Sequence, residues 1–141
     1  MICSRSEGDL KSACDKIGEG LEKPVRIEHM VCDMQDRKQV DALAADALKQ
    51  FGRVDILVNN AGMNRPDPID QVEDEVWDEV VEVNLTSIMR LTRALVPQMK
   101  DRKWGRVIHI SSVLGMGSKP ARNSYSSTKA CLLYTSPSPR D

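Results

Sequence analysis

The sequence predicts a doubly wound α/β fold built on a parallel sheet. Three observations carry that prediction. Short apolar runs alternate with amphipathic stretches of helical period, in the order strand, helix, repeated four times. Residues 54–58 (VDILV) are almost continuously apolar, as in a parallel strand covered on both faces. Asp33, the turn at 59–62 and the pair Ser111 and Ser112 all fall beyond the carboxyl ends of strands, where such sheets bind ligands.

Each element follows from local pattern. Met1, Ile2 and Cys3 read as the end of a strand, and Ser6 caps the helix behind it. Leu10, Ala13, Cys14, Ile17 and Leu21 recur at helical spacing, and Gly18, Gly20 and Pro24 mark where that helix stops. Residues 25–32 (VRIEHMVC) alternate loosely and form a strand that ends at Asp33. Val40, Leu43, Ala44, Ala47, Leu48 and Phe51 define an amphipathic helix terminated by Gly52. Strand 54–58 leads into NNAG at 59–62, and residues 63–72, with Pro66 and Pro68, are loop.

A long helix is expected from about 74 to 100, its apolar face including Val76, Trp77, Val80, Val81, Leu85, Ile88, Leu91, Leu95 and Met99. Pro97 is expected to kink or end its last turn. After Gly105, the strand RVIHI delivers Ser111 and Ser112. Gly115 and Gly117 make the next loop flexible, and a last helix starts near Asn123 or Ser124. Trp77 reads as core or helix packing, His109 as structural and His29 as a solvated strand residue.

Bulk properties narrow the function. The length of 141 residues suits one domain, and 40% hydrophobic with 29% charged residues is a globular composition. Lys plus Arg (20) nearly cancels Asp plus Glu (21), which leaves no electrostatic case for nucleic acid or an anionic membrane. No apolar run approaches the ~18 residues of a membrane span, and the N-terminus reads as neither signal nor transit peptide. Cys3, Cys14, Cys32 and Cys131 are widely separated, without CxxC or a histidine cluster. No metal is expected, and free thiols suit a cytoplasmic location.

The chemistry concentrates in residues 111–129, SSVLGMGSKPARNSYSSTK. A serine (Ser111 or Ser112), Tyr125 and Lys129 could act as one unit. The four-residue interval places Tyr125 and Lys129 on one helix face. An ammonium beside a phenol pulls the phenol pKa down from about 10, which lets it exchange protons with an alcohol or carbonyl near neutral pH.

NNAG at 59–62, VNL around Asn84, a strand ending ISS and YxxxK at 125–129 stand in one order at specific separations. On these motifs the chain resembles the short-chain dehydrogenase/reductase family, from residue 1 to about residue 130. The resemblance implies an incomplete Rossmann-like NAD(P)-binding fold and an oxidoreductase that reduces a ketone or oxidises a secondary alcohol. By its distance from the tyrosine, Ser112 is favoured over Ser111 as the residue that hydrogen-bonds the substrate oxygen. Tyr125 would exchange the proton and also contact the cofactor, and Lys129 would tune it and hold the nicotinamide ribose. Asn84 would fix a water that links Lys129 to solvent.

Asn60, Ala61 and Gly62 would lie along the cofactor, and Asp33 would contact the adenine. Family members that prefer NAD carry an acidic residue where this chain has Arg5. A guanidinium there could pair with a 2′-phosphate, so NADP is expected, with NAD the alternative. The nearest kinds of activity are 3-oxoacyl-carrier-protein reductase and polyol or gluconate dehydrogenase. A non-catalytic dinucleotide-binding regulatory module, or an inactive gene fragment, is the alternative. A small-molecule substrate is implied, and a homotetramer or homodimer, with helix 74–100 packed on its copy.

Two departures accompany the resemblance. The family's first strand and its TGxxxGxG turn have no counterpart, and in the family's 3-2-1-4-5 order their loss would split the sheet and expose apolar edges. Residues 131–141 (CLLYTSPSPRD) look like a translated sequencing adapter, with Pro137 and Pro139 breaking any helix. The expectation is a partial domain over 1–130, a non-native tail over 131–141, and a 141-residue polypeptide that is not itself a stable, active enzyme.

Overall fold

Two parallel pairs of strands flanked by helices make up the computed structural model, which describes residues 1–19 and 22–135. In chain order the elements are β1 (Ile2–Ser4), α1 (Glu7–Glu19), β2 (His29–Val31), α2 (Arg37–Phe51), β3 (Ile56–Asn59), α3 (Asp74–Val81), α4 (Ser87–Asp101), β4 (Arg106–His109) and α5 (Asn123–Thr135). One turn of π-helix, Glu82–Thr86, joins α3 to α4, and short 3₁₀ turns occupy Ile69–Gln71 and Val113–Gly115. Gly20, Leu21 and residues 136–141, with Pro137 and Pro139, lie outside the described residues.

Local signals explain the helix ends. Ser6 Oγ accepts from Asp9 N–H at 3.2 Å and starts α1. Asp36 caps α2 by accepting from the Lys38 and Gln39 N–H groups. Gly52, at φ 71°, ends α2 and returns its N–H to Leu48 O, a conformation glycine adopts without a Cβ clash. Pro97 does not stop α4, which runs on to Asp101. That helix ends where Lys103 takes φ 56° and Trp104 N–H reaches back to Met99 O. Likewise α5 continues through Cys131 to Thr135 and buries Leu132.

The main core lies between α2 and α4. Val40, Leu43 and Ala44 meet Leu91 and Leu95, with Cys32 beneath them and Cys3, Leu48, Val54 and Leu57 at the margin. Burial of such side chains is worth about 1.5–3 kcal/mol each, and it holds α2 and α4 against the strands.

The sheet is divided. β1 pairs with β2 (Cys3 opposite Met30) and β3 with β4 (Val58 opposite Ile108), both parallel. Among the described residues no strand lies between β1 and β3. A cavity of about 620 Å³ occupies that place, lined by Ile2, Cys3, Leu57, Val58, Leu91 and Leu95 among others. The division agrees with the expectation of a split sheet. The expectation that strand 54–58 is covered on both faces is corrected: Ile56 is 55% and Val58 53% exposed, since among the described residues nothing covers that face.

Other expectations change in detail. The strand at 25–32 is reduced to His29–Val31, since β1 offers only three residues to pair with it. Trp77 is 39% exposed rather than core, because α3 turns Val80 inward instead. Gly115 is a close-approach residue and not a source of flexibility. A Cβ there would sit 2.8 Å from both the carbonyl carbon and the oxygen of Lys129.

Candidate active site

The helix 74–101 is wound differently at its centre, and Asn84 shows why. A π turn inserts one extra residue per turn and rotates the following helix face. Asn84 lies inside Glu82–Thr86 with none of its surface exposed. Its Oδ1 accepts from Met63 N–H at 2.8 Å, and its Nδ2 donates to Met63 O and to Thr128 Oγ1, both at 2.9 Å. Asparagine is a poor residue for the middle of an α-helix. Here its amide instead bridges the loop after β3 to α5.

Lys129, on α5, is 2% exposed, and its Nζ donates to Ile110 O at 2.7 Å, just past the end of β4. Burial pushes the pKa of this ammonium below the usual lysine value, because a charge loses hydration there. Nζ lies 5.6 Å from the centre of the Tyr125 ring, so the one-turn spacing brings cation and phenol together. Tyr125 is half-buried, and its hydroxyl has no hydrogen-bond partner among the described residues. It is therefore available to a ligand.

The two serines separate in role. Ser111 Oγ donates to Lys129 O at 2.8 Å, locking β4's exit to α5. Ser112 accepts from Leu114 N–H at 3.2 Å and caps the 3₁₀ turn Val113–Gly115. Among the described residues the Ser112 hydroxyl has no acceptor, so its proton is free to be donated in a hydrogen bond to an oxygen of a bound molecule.

A second cleft, of about 380 Å³, brings together Ser4, Arg5, Asp33, Ala61 and Gly62, with Met63 and Val83. Arg5 is exposed and makes no ion pair among the described residues. Asp33 Oδ1 accepts from Gln35 N–H, which fixes the turn at the end of β2. Gly62 links the two regions: a Cβ built there would lie 3.5 Å from Lys129 Nζ and 3.6 Å from Asn84 Oδ1. Asn60 is set apart from this cleft and lines the cavity between the sheets.

Sequence reasoning missed several participants. Thr128 is buried between Tyr125 and Lys129, donates to Tyr125 O and accepts from Asn84. The carbonyl of Ile110 could not be singled out, since any strand residue has one. Asn59, which NNAG marks as a residue stabilising the sheet, is buried and donates to His109 Nδ1 at 3.1 Å across β3–β4, while its Oδ1 has no partner among the described residues. That contact follows from the register of β3 on β4, which sets Asn59 opposite His109, the residue immediately before Ile110, Ser111 and Ser112.

With this geometry in hand, comparison with known proteins gives a consistent result. The family model described as short chain dehydrogenase matches residues 1–136. A hexahydro-indene-carboxyl-CoA reductase of Mycobacterium tuberculosis is 42% identical over 106 residues, covering 74% of this chain and 40% of that protein. A 3-oxoacyl-(acyl-carrier-protein) reductase of Thermotoga maritima is 34% identical over 115 residues, covering 82% of this chain and 46% of that protein. Among solved structures, an actinorhodin polyketide ketoreductase with NADPH superposes with a TM-score of 0.84 at 31% identity, covering 93% of this chain and 50% of that one. The chain spans less than half the length of these two curated relatives.

Proposed function

We infer the activity from one premise: this chain belongs to the short-chain dehydrogenase family. The whole protein that carries it is an NADP-dependent oxidoreductase that interconverts a ketone and a secondary alcohol. The observation that carries this reading is the Lys129 ammonium, held on Ile110 O past the end of β4, 5.6 Å from the Tyr125 ring and beside Gly62 and Asn84, with Ser112 two residues beyond Ile110.

The residues present fit a dinucleotide. The cleft of Arg5, Asp33, Ala61 and Gly62 has polar groups at one end and leads past Gly62 toward Lys129. The unpaired guanidinium of Arg5 suits a 2′-phosphate, which it can grip with two parallel N–H donors. Asp33 would receive the adenine, and Asn60, Ala61 and Gly62 would follow the cofactor's length. When bound, NADPH supplies the hydride.

The chain's own residues handle the proton and the orientation. Ser112 hydrogen-bonds the carbonyl oxygen, keeping its own proton, and holds that oxygen toward Tyr125. Tyr125 gives its phenolic proton to that oxygen as the alcohol forms, or accepts one in the reverse direction. The Lys129 ammonium, buried and anchored on Ile110 O, stabilises the phenolate left behind. Asn84 and Thr128 keep α5 seated so that this cation stays on the tyrosine's side.

Among substrates, a 3-oxoacyl thioester fits the reductase relatives best, with polyols and gluconate-type acids second. Dimeric or tetrameric assembly and a cytoplasmic location complete the reading. No helix among the described residues is long and apolar enough to cross a membrane. The test is NADPH oxidation by the whole protein with a 3-oxoacyl thioester, against NADP reduction with gluconate or a polyol. Turnover with either supports the reading and selects the substrate; NADPH binding without turnover of either class would establish the non-catalytic alternative.

A further inference from the structure

Away from that site, three side chains on the α1–β2 layer are arranged for thiol chemistry. Cys14 Sγ on α1 lies 3.7 Å from Nδ1 of His29, the first residue of β2. The other ring nitrogen, Nε2, lies 3.3 Å from Glu7 Oε1, and Lys11 holds the same carboxylate oxygen at 3.4 Å. Glu7 and Cys14 are seven residues apart, two helical turns, so both face the imidazole from one side of α1. A nucleophile within reach of a base that is oriented by a third group is the arrangement that activates cysteine.

Each part has a definite physical effect. The carboxylate at Nε2 fixes the ring so that Nδ1 faces the sulfur and can accept the thiol proton. The hydrogen bond to His29 holds the Glu7 carboxyl below the usual carboxylate range, with the bond to Lys11 adding to it, so Glu7 carries its charge at neutral pH. The ladder partner of His29 is the apolar Ile2, which leaves the ring's polar edges to Cys14 and Glu7. Cys14 is half-buried and so remains open to a small reagent. In the neighbouring strands, burial pushes the thiols of Cys3 and Cys32 up, Cys32 to about 11.

We propose that Cys14, His29 and Glu7 form a modification site in which the Cys14 thiolate is oxidised by hydroperoxides to a sulfenic acid. His29 Nδ1 takes the thiol proton, and the sulfur attacks one peroxide oxygen. The S–O bond forms as the O–O bond breaks; sulfur loses two electrons and the peroxide gains them. The departing hydroxide or alkoxide takes the proton from His29, giving water or an alcohol and restoring neutral imidazole. Nothing in the proposed oxidoreductase chemistry uses these residues.

The experiment treats the full 141-residue chain with hydrogen peroxide and dimedone, which traps sulfenic acid, and resolves each cysteine by peptide mass spectrometry. Cys14 is expected to label about ten times faster in the folded chain than in the same chain unfolded in urea. Cys32, being buried, labels more slowly folded than unfolded, and serves in every variant as the check that the fold is intact. His29→Gln is expected to abolish the Cys14 advantage. Glu7→Gln, at an exposed position, is expected to cut it about threefold. Labelling of Cys14 no faster in the folded chain, or unchanged in both variants, would overturn the proposal.

Discussion

Asn84 donates from Nδ2 to Thr128 Oγ1 at 2.9 Å, and this bond ties the π turn between α3 and α4 to α5, one residue before Lys129. The same amide clasps both backbone groups of Met63 in the loop after β3. Three segments far apart in sequence are thus registered by a single buried side chain.

Removing that side chain is expected to be costly. Asn84→Ala leaves Met63 N–H, Met63 O and Thr128 Oγ1 each short of a partner, at a point where Asn84 and Thr128 are both buried. A loss of about 2–4 kcal/mol is expected, read as a lowered urea midpoint. Thr128→Val alone should cost about 1 kcal/mol. The two substitutions together are expected to cost less than their sum by about 0.5–1.5 kcal/mol, because they share one hydrogen bond.

Two glycines in one loop are expected to behave differently. A methyl group at Gly115 meets the Lys129 backbone at 2.8 Å, whereas nothing lies within 4 Å of one at Gly117. Gly115→Ala should destabilise by about 1–3 kcal/mol, since backbone cannot yield as a side chain does. Gly117→Ala should be neutral within about 0.5 kcal/mol in the same denaturation experiment.

Acid should weaken the pairing of β3 with β4 through His109. Burial lowers the pKa of this imidazole below its ordinary 6.5 in the folded chain. As pH falls through 6.5 the unfolded chain takes up a proton that the folded chain refuses, which favours unfolding. The contribution is therefore whole above pH 6.5 and is lost as pH drops toward the lowered folded value. Urea midpoints at neutral and mildly acidic pH should converge in His109→Asn, which keeps a polar group opposite Asn59 but does not titrate.

Tyr125→Phe should remove the proton donor while leaving the helix face intact. In the whole protein, kcat for ketone reduction is expected to fall about 10²–10⁴-fold, with NADPH affinity changed little, as measured by single-turnover kinetics and cofactor titration.

Arg5→Gln tests the coenzyme choice separately from catalysis. Loss of the guanidinium should weaken NADPH binding by about 10- to 150-fold and leave NADH nearly unaffected, since one charge-assisted contact to phosphate is worth about 1.5–3 kcal/mol. Equal loss for both coenzymes would place Arg5 outside the 2′-phosphate subsite.

Much was readable without coordinates. Alternating strand and helix periods predict the order of elements; Ser6 and Gly52 predict helix ends; the interval from Tyr125 to Lys129 predicts a shared face. These are local facts, set by the dihedral preferences of a few neighbouring residues and by the 3.6-residue repeat. Tertiary structure decided the rest. The π turn at Asn84 depends on partners 21 and 44 residues away, so no nearby residue announces it. Gly115 reads as flexible until Lys129 is seen against it, and His29 reads as solvated until Cys14 and Glu7 flank it. Trp77 and the bare face of β3 make the same point from outside, because whether an apolar residue is covered depends on what else packs there. Periodicity tells a segment which of its faces is apolar; only the packed chain determines which neighbour, if any, that face meets.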